Sequence, residues 1–330
     1  MTQQWWKQAV VYQIYPKSFM DSDGDGYGDI NGIISKLDYL SDLGVDVLWL
    51  TPIYPSPEKD NGYDISDYYA INPRYGTLEQ FKQLLEQVHQ RDMKLIMDIV
   101  VNHTSTEHEW FKQAMSSVDN PYHDFYIWRD GSPETPPNNW LSKFGGSAWQ
   151  YCAGVGKYYL HLFDVTQADL NWENPILRQE IYRMMRYWLE LGVDGFRLDV
   201  INLISKQQNF VDDTLLTPTA DGRKFYTDGP RIHEYLHEMN HEVFALRDGL
   251  LTVGEMSSTT LESCVLYTNP ARKELDMVFN FHHLKVDYVG GEKWSLGRFD
   301  FIQLKQLFNT WQSGMQAGGG WNALFWSNHD

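Results

Sequence analysis

Arg197 and Asp199 stand two residues apart inside LGVDGFRLDVI (191–201), a mostly apolar run. A buried charge is costly unless it is paired or used. In an extended strand, residues two apart share a face, so the guanidinium and the carboxylate point the same way. Arg197 is then placed to keep Asp199 ionised and aimed. Similar groups accompany other short apolar runs. Asp98, Asn102 and His103 go with KLIMDIV (94–100), Glu255 closes LLTVGE (250–255), and His329 and Asp330 follow NALFWS (322–327). Solvation does not explain charge delivered repeatedly to the same end of successive strands; a shared site does. Three carboxylates, Asp199, Glu255 and Asp330, with Arg and His beside them, suit glycoside cleavage. One carboxylate attacks an anomeric carbon while an acid of raised pKa protonates the leaving oxygen.

The elements that must position these groups read as alternating strands and helices. Runs at 10–16, 45–50, 94–100, 195–200, 250–255, 277–281 and 322–327 are nearly all apolar, as parallel strands buried on both faces are. Between them lie amphipathic helical patterns at 30–44, 77–92 and 174–192, the last with Asn174 as N-cap, Pro175 at the first turn and Gly192 past the end. The βαβ order predicts a parallel sheet with charges gathered at the carboxyl ends of its strands. Residues 103–173, rich in Trp, Pro, Gly and Asn, break the rhythm and predict an inserted subdomain walling the site. The expected division is barrel at 1–103, insert (a B domain) at 104–173 and barrel again at 174–330. Seven strands count out where a (β/α)₈ TIM barrel closes with eight, so the expectation is an α/β barrel cut after strand seven. An open doubly wound sheet is the alternative.

Composition narrows the partners. Lys+Arg is 27 against Asp+Glu 44, a formal charge of −17, which argues against nucleic acid and anionic membranes. No apolar run is long enough to span a membrane and the N-terminus lacks a signal-peptide layout, so a cytoplasmic monomer is expected. Cys152 and Cys264 have no metal-ligand spacing and are expected as free thiols. The 13 Trp and 20 Tyr suit either an aromatic core or a cleft that stacks sugar rings.

Four segments, DIVVNH (98–103), GFRLDV (195–200), GE (254–255) and SNHD (327–330), resemble the signature segments of the family 13 glycoside hydrolases. QADLNW (167–172) is similar to a fifth, with Ala168 where Pro is usual. The resemblance implies a barrel with an inserted B domain, followed by a C-terminal β-domain that this chain lacks, and retention of configuration. It implies Asp199 as nucleophile, Glu255 as acid/base and Asp330 as the carboxylate gripping sugar hydroxyls, assisted by His103 and His329. Asp60 and Tyr63 in EKDNGYDISDY (58–68) match the glucose pocket, with Tyr63 as stacking platform.

DSDGDGYGD (21–29) offers side-chain oxygens at Asp21, Asp23, Asp25 and Asp29 and a carbonyl at Tyr27, close to EF-hand loop spacing. Position twelve of such a loop is Gly32 in place of the bidentate Glu, so a metal-free acidic turn is the alternative. The oligo-1,6-glucosidase branch carries a similar Ca²⁺ loop, and resemblance favours structural calcium with no organic cofactor. Val200 after the nucleophile resembles the α-1,6-acting branch and the trehalose-6-phosphate hydrolases. Longer runs, VINLISK (200–206) and FNFHHLKVDYVGGEKW (279–294) among them, resemble the latter most. His282, His283, Lys285 and Lys293 would then receive a sugar phosphate. The expected substrate is a phosphorylated disaccharide. Isomalto-oligosaccharide cleavage is the nearest alternative, and a non-catalytic relative or inactive fragment a remoter one.

Overall fold

In a computed structural model, residues 4–214, 220–291 and 293–329 are described. Six parallel strands form the central sheet: β1 (Val11–Ile14), β2 (Val47–Leu50), β3 (Lys94–Ile99), β9 (Gly195–Leu198), β10 (Leu251–Met256) and β11 (Met277–Asn280). They pair in that order, each with its neighbour in sequence. A doubly wound sheet reverses its strand order at a switch point, and this one does not.

The sheet is curled. Trp49 of β2 and Phe279 of β11 lie four places apart in the strand order, which in a flat sheet is about 19 Å. Their rings are 6.2 Å apart. Alternation explains what fills the concave side: Val47, Trp49, Ile96, Leu251, Val253, Met277 and Phe279 form an inner cluster with Trp6. The residues between them, such as Leu48, Leu95, Leu198 and Val278, pack outward into the main core. One inward step beyond the apolar residues come Asp98, after Ile96, and Glu255, after Val253. The chemistry is the continuation of the inner face.

The helices form for local reasons. Pro175–Leu191 starts at Asn174, whose side chain accepts from Ile176 N–H, and ends at Gly192 with φ 111°, a conformation Gly adopts without a Cβ clash. It buries Leu177, Ile181, Met184, Met185 and Trp188, each of which contributes roughly 1.5–3 kcal/mol. Leu78–His89 carries a capping box between Thr77 and Gln80. The pattern at 30–44 divides into Ile30–Ser35 and Leu37–Asp42, broken at Lys36.

The segment after β3 carries two small antiparallel sheets. The first pairs β4 (His103–Ser105) with β8 (Gln167–Asp169); the second runs β5 (Trp128–Asp130), β7 (Lys157–Leu160), β6 (Trp149–Cys152). The expected strand at 322–327 is reduced to one parallel bridge, Asn322 to Val278, with Ala323 N–H donating to Val278 at 2.8 Å. Among the described residues it is paired on one side only, and Leu324 and Trp326 are exposed. Cys152 and Cys264 are both buried free thiols, and no described helix is long and apolar enough to cross a membrane.

Candidate active site

Arg197 is the hub of the strand ends. Its Nη1 donates to Asp98 Oδ1 at 2.7 Å and to Asp199 Oδ1 at 2.6 Å, and its Nη2 to Glu255 Oε2 at 2.6 Å. β3 and β9 place Asp98 and Arg197 as register partners, and β10 lies on the other side of β9. Rings of Trp49, Tyr63 and Phe279 surround the guanidinium at 5.1–5.8 Å. A buried cation is tolerable here because it meets three carboxylates.

Three carboxylates on one cation leave an excess of negative charge. Burial, followed by the partly offset repulsion among them, pushes Asp199 up to about 7 and Asp98 up to about 6. The expectation that Arg197 by itself keeps Asp199 ionised is corrected: its charge is divided three ways. Near neutral pH the cluster retains a proton. Both Arg197 Nη2 and Val200 N–H (3.0 Å) donate to Oε2 of Glu255, so a proton on this carboxyl belongs on Oε1. That N–H is aimed by an unusual backbone. Val200 sits at φ 36°, ψ 39°, a left-handed conformation costly for a β-branched residue.

A cleft of about 930 Å³ opens over this cluster, lined by Asp199, Glu255, Asp60, Tyr63, His103, His329, Lys285 and Lys293 among others. Tyr63 donates to Asp98 Oδ2 at 3.0 Å and its ring stacks on His329 at 5.2 Å, 2° from parallel. His103 is buried, bonded at Nε2 to Tyr63 O (3.2 Å) and Gln167 Nε2 (3.1 Å), and burial holds it neutral with a pKa of about 4. Gln167 also donates to Asp60 Oδ2 at 2.8 Å. Behind them Lys206 Nζ lies 2.8 Å from Asp169 Oδ2 and from Asn102 Oδ1, fully buried. Asp330 lies outside the described residues.

The structure divides the four basic residues expected for phosphate. Lys285 and Lys293 line the cleft. His282 and His283 do not reach it, a correction with a plain cause. His282 bonds Asn280 Oδ1 at 2.9 Å and packs on Trp311, while the His283 ring lies against Phe308 and Phe325. The apolar neighbours claim both rings. Gln167, Asp98, Lys143 and Arg223 escaped the site reading. The first two lay inside the recognised segments, but the last two stand in loops without motif spacing.

In the acidic loop, one oxygen each from Asp21, Asp23 and Asp29 lies within 4.8 Å of the others. Asp25 stands outside this group and accepts from Tyr27 N–H at 2.8 Å; the Tyr27 ring lies under Arg74. Backbone N–H groups of Gly26 and Gly24 lower the Asp21 pKa. Three ionised carboxylates fit a hard divalent cation, with three protein side chains where five ligands were expected.

Comparison with known proteins decides the family: the model described as alpha amylase, catalytic domain, matches residues 13–330. The chain belongs to the alpha-amylase family. Within this family it is 65% identical over 327 residues to trehalose-6-phosphate hydrolase of Bacillus subtilis, covering 99% of this chain and 57% of that protein. It is 54% identical to an oligo-1,6-glucosidase of Bacillus cereus, covering 59% of it. The crystal structure of Bacillus licheniformis trehalose-6-phosphate hydrolase superposes with a TM-score of 0.95 at 64% identity, covering 99% of this chain and 58% of that one. The chain thus spans under three fifths of the length of these alpha-amylase relatives.

Proposed function

We propose that the protein is a retaining α-glucosidase that hydrolyses trehalose 6-phosphate to glucose and glucose 6-phosphate. The observation that carries it is the Asp199–Arg197–Glu255 cluster at the floor of a cleft walled by Lys285 and Lys293. The 65% identity to a trehalose-6-phosphate hydrolase, against 54% to an oligo-1,6-glucosidase, supports the phosphorylated substrate.

In this reading Asp199 attacks the anomeric carbon while Glu255 gives its proton to the bridging oxygen, releasing glucose 6-phosphate. Water, deprotonated by Glu255, then cleaves the glucosyl ester and returns the α-anomer. The retained proton is poised for this, since the resting pair needs one ionised and one protonated carboxyl. Asp60, Tyr63, His103 and His329 hold the transferred glucose, and Asp330 grips its hydroxyls. The curled sheet belongs to a (β/α)₈ barrel with the segment 104–173 as its B domain. Asp21, Asp23 and Asp29 would hold a structural Ca²⁺, which supplies loop rigidity and no chemistry at the cleft. The protein works as a cytoplasmic monomer.

Proton NMR of the full-length protein with trehalose 6-phosphate, trehalose and isomaltose, with Glu255→Gln as blank, tests the proposal. Cleavage of the phosphorylated sugar alone, with α-glucose appearing before mutarotation, is the expected result. Isomaltose cleaved as fast or faster would make the protein an oligo-1,6-glucosidase.

A further inference from the structure

Lys143 projects from the loop closed by the Leu141–Ser147 bridge. Its Nζ donates to Ser257 Oγ at 3.1 Å, two residues beyond Glu255, and lies over the rings of Phe163 and Tyr226 at 5.9 and 5.8 Å. Ser257, Phe163 and Lys285 all line the cleft. Arg223 grips Asp221 through Nε and Nη2, leaving its Nη1 without a bond among the described residues. Burial first, then the charge of Arg223, lowers both lysines: Lys143 falls to about 8, with Lys285 adding to the effect, and Lys285 itself falls. Among the described residues neither Lys143 nor Lys285 has a carboxylate at ion-pair distance, and Asp221 is taken by Arg223. Three cations less one carboxylate leave +2 at one corner of a chain whose formal charge is −17. Like charges converging in a sheltered place are unfavourable without an anion between them. A phosphate monoester near neutral pH carries close to two negative charges and presents three acceptor oxygens.

We propose that Lys143, Arg223 and Lys285 form the corner that reads the substrate's phosphate, and that Lys143 and Arg223 are specificity-determining residues of this cleft. The inference rests on the functional reading above and places the phosphate on the Ser257 side of Glu255, where the leaving sugar departs. The corner shares only Lys285 with the four basic residues expected from sequence.

The experiment measures the ratio of kcat/KM for trehalose 6-phosphate to that for trehalose in the full-length protein and in Lys143→Met, Lys143→Arg and Arg223→Gln. Inhibition by inorganic phosphate is followed alongside from pH 7 to pH 9. A charge-assisted bond to phosphate is worth roughly tenfold or more, so Lys143→Met and Arg223→Gln should each lower the ratio at least about tenfold. Lys143→Arg should retain most of it, which separates lost charge from lost fold. Wild-type inhibition should weaken as pH passes the Lys143 pKa of about 8, and that weakening should vanish in Lys143→Met. If wild type shows no phosphate preference, the functional reading fails and takes this inference with it. If the preference is present in wild type and survives both substitutions, the functional reading stands and the corner assignment alone is overturned.

Discussion

Replacing Asp98 with Asn should move the acid limb of the pH–rate profile downwards. Asp98 and Asp199 accept from the same Nη1 of Arg197 at 2.7 and 2.6 Å, so their bonded oxygens lie within roughly 5 Å. At an effective dielectric constant of about 20, two unit charges at that distance repel by about 3 kcal/mol, or about 2 pKa units. Repulsion from Asp98 is among the causes that raise Asp199 to about 7. Without it Arg197 serves two carboxylates, and Asp199 should fall by about 1–2 units. The sign follows directly. A nucleophile with a raised pKa loses activity as pH falls through that value, so lowering the value extends activity into acid. The amide keeps an oxygen for Arg197 but turns its NH₂ towards Trp49 Nε1 and Tyr63 OH, which now donate to Asp98 Oδ2 at 3.2 and 3.0 Å. Tyr63 can rotate its hydroxyl to accept; the Trp49 N–H loses its acceptor at a cost of about 1 kcal/mol. The variant should therefore fold with a modestly lower Tm. The assay is kcat/KM for trehalose 6-phosphate against pH, because that parameter reports the free enzyme. An acid limb that stays in place or moves upwards would refute the account of a proton held by carboxylate crowding.

Three further outcomes are expected. Lys206→Met removes the only ammonium printed beside the buried Asp169 and leaves that carboxylate uncompensated, so urea denaturation should show a loss of about 3–5 kcal/mol. Gly195→Ala should give insoluble or unfolded protein by circular dichroism, since at φ 151° an added Cβ would stand 2.0 Å from Leu251 O in the neighbouring strand. Chelation should lower the Tm, Ca²⁺ should restore it, and Asp21→Asn should abolish the difference; calorimetric titration with Ca²⁺ checks the same point, and no heat of binding would remove calcium from the loop.

Much of this protein was legible along the chain because the controlling periods are short. Alternation in GFRLDV put Arg197 and Asp199 on one face, and the caps of Pro175–Leu191 were written in Asn174, Pro175 and Gly192. Parallel strands with continuous apolar runs announced a sheet buried on both sides, and the family segments named Asp199 and Glu255 as members of one site. The seventh run looked equally strand-like, yet only Asn322 pairs, because a strand needs a partner's backbone as well as its own apolar side chains.

What tertiary structure alone decided is the balance of charge. Sequence showed an Arg beside an Asp and suggested a simple pair. Folding brings Asp98 and Glu255 from strands 99 and 58 residues away onto the same guanidinium, so a proton stays where a full ion pair was expected. It turns His282 and His283 onto aromatic neighbours and brings Lys143 and Arg223, from loops with no motif, towards Lys285. The inventory of ionisable groups is a property of the sequence. Their protonation and partners depend on distance and burial, which exist only once the sheet has curled.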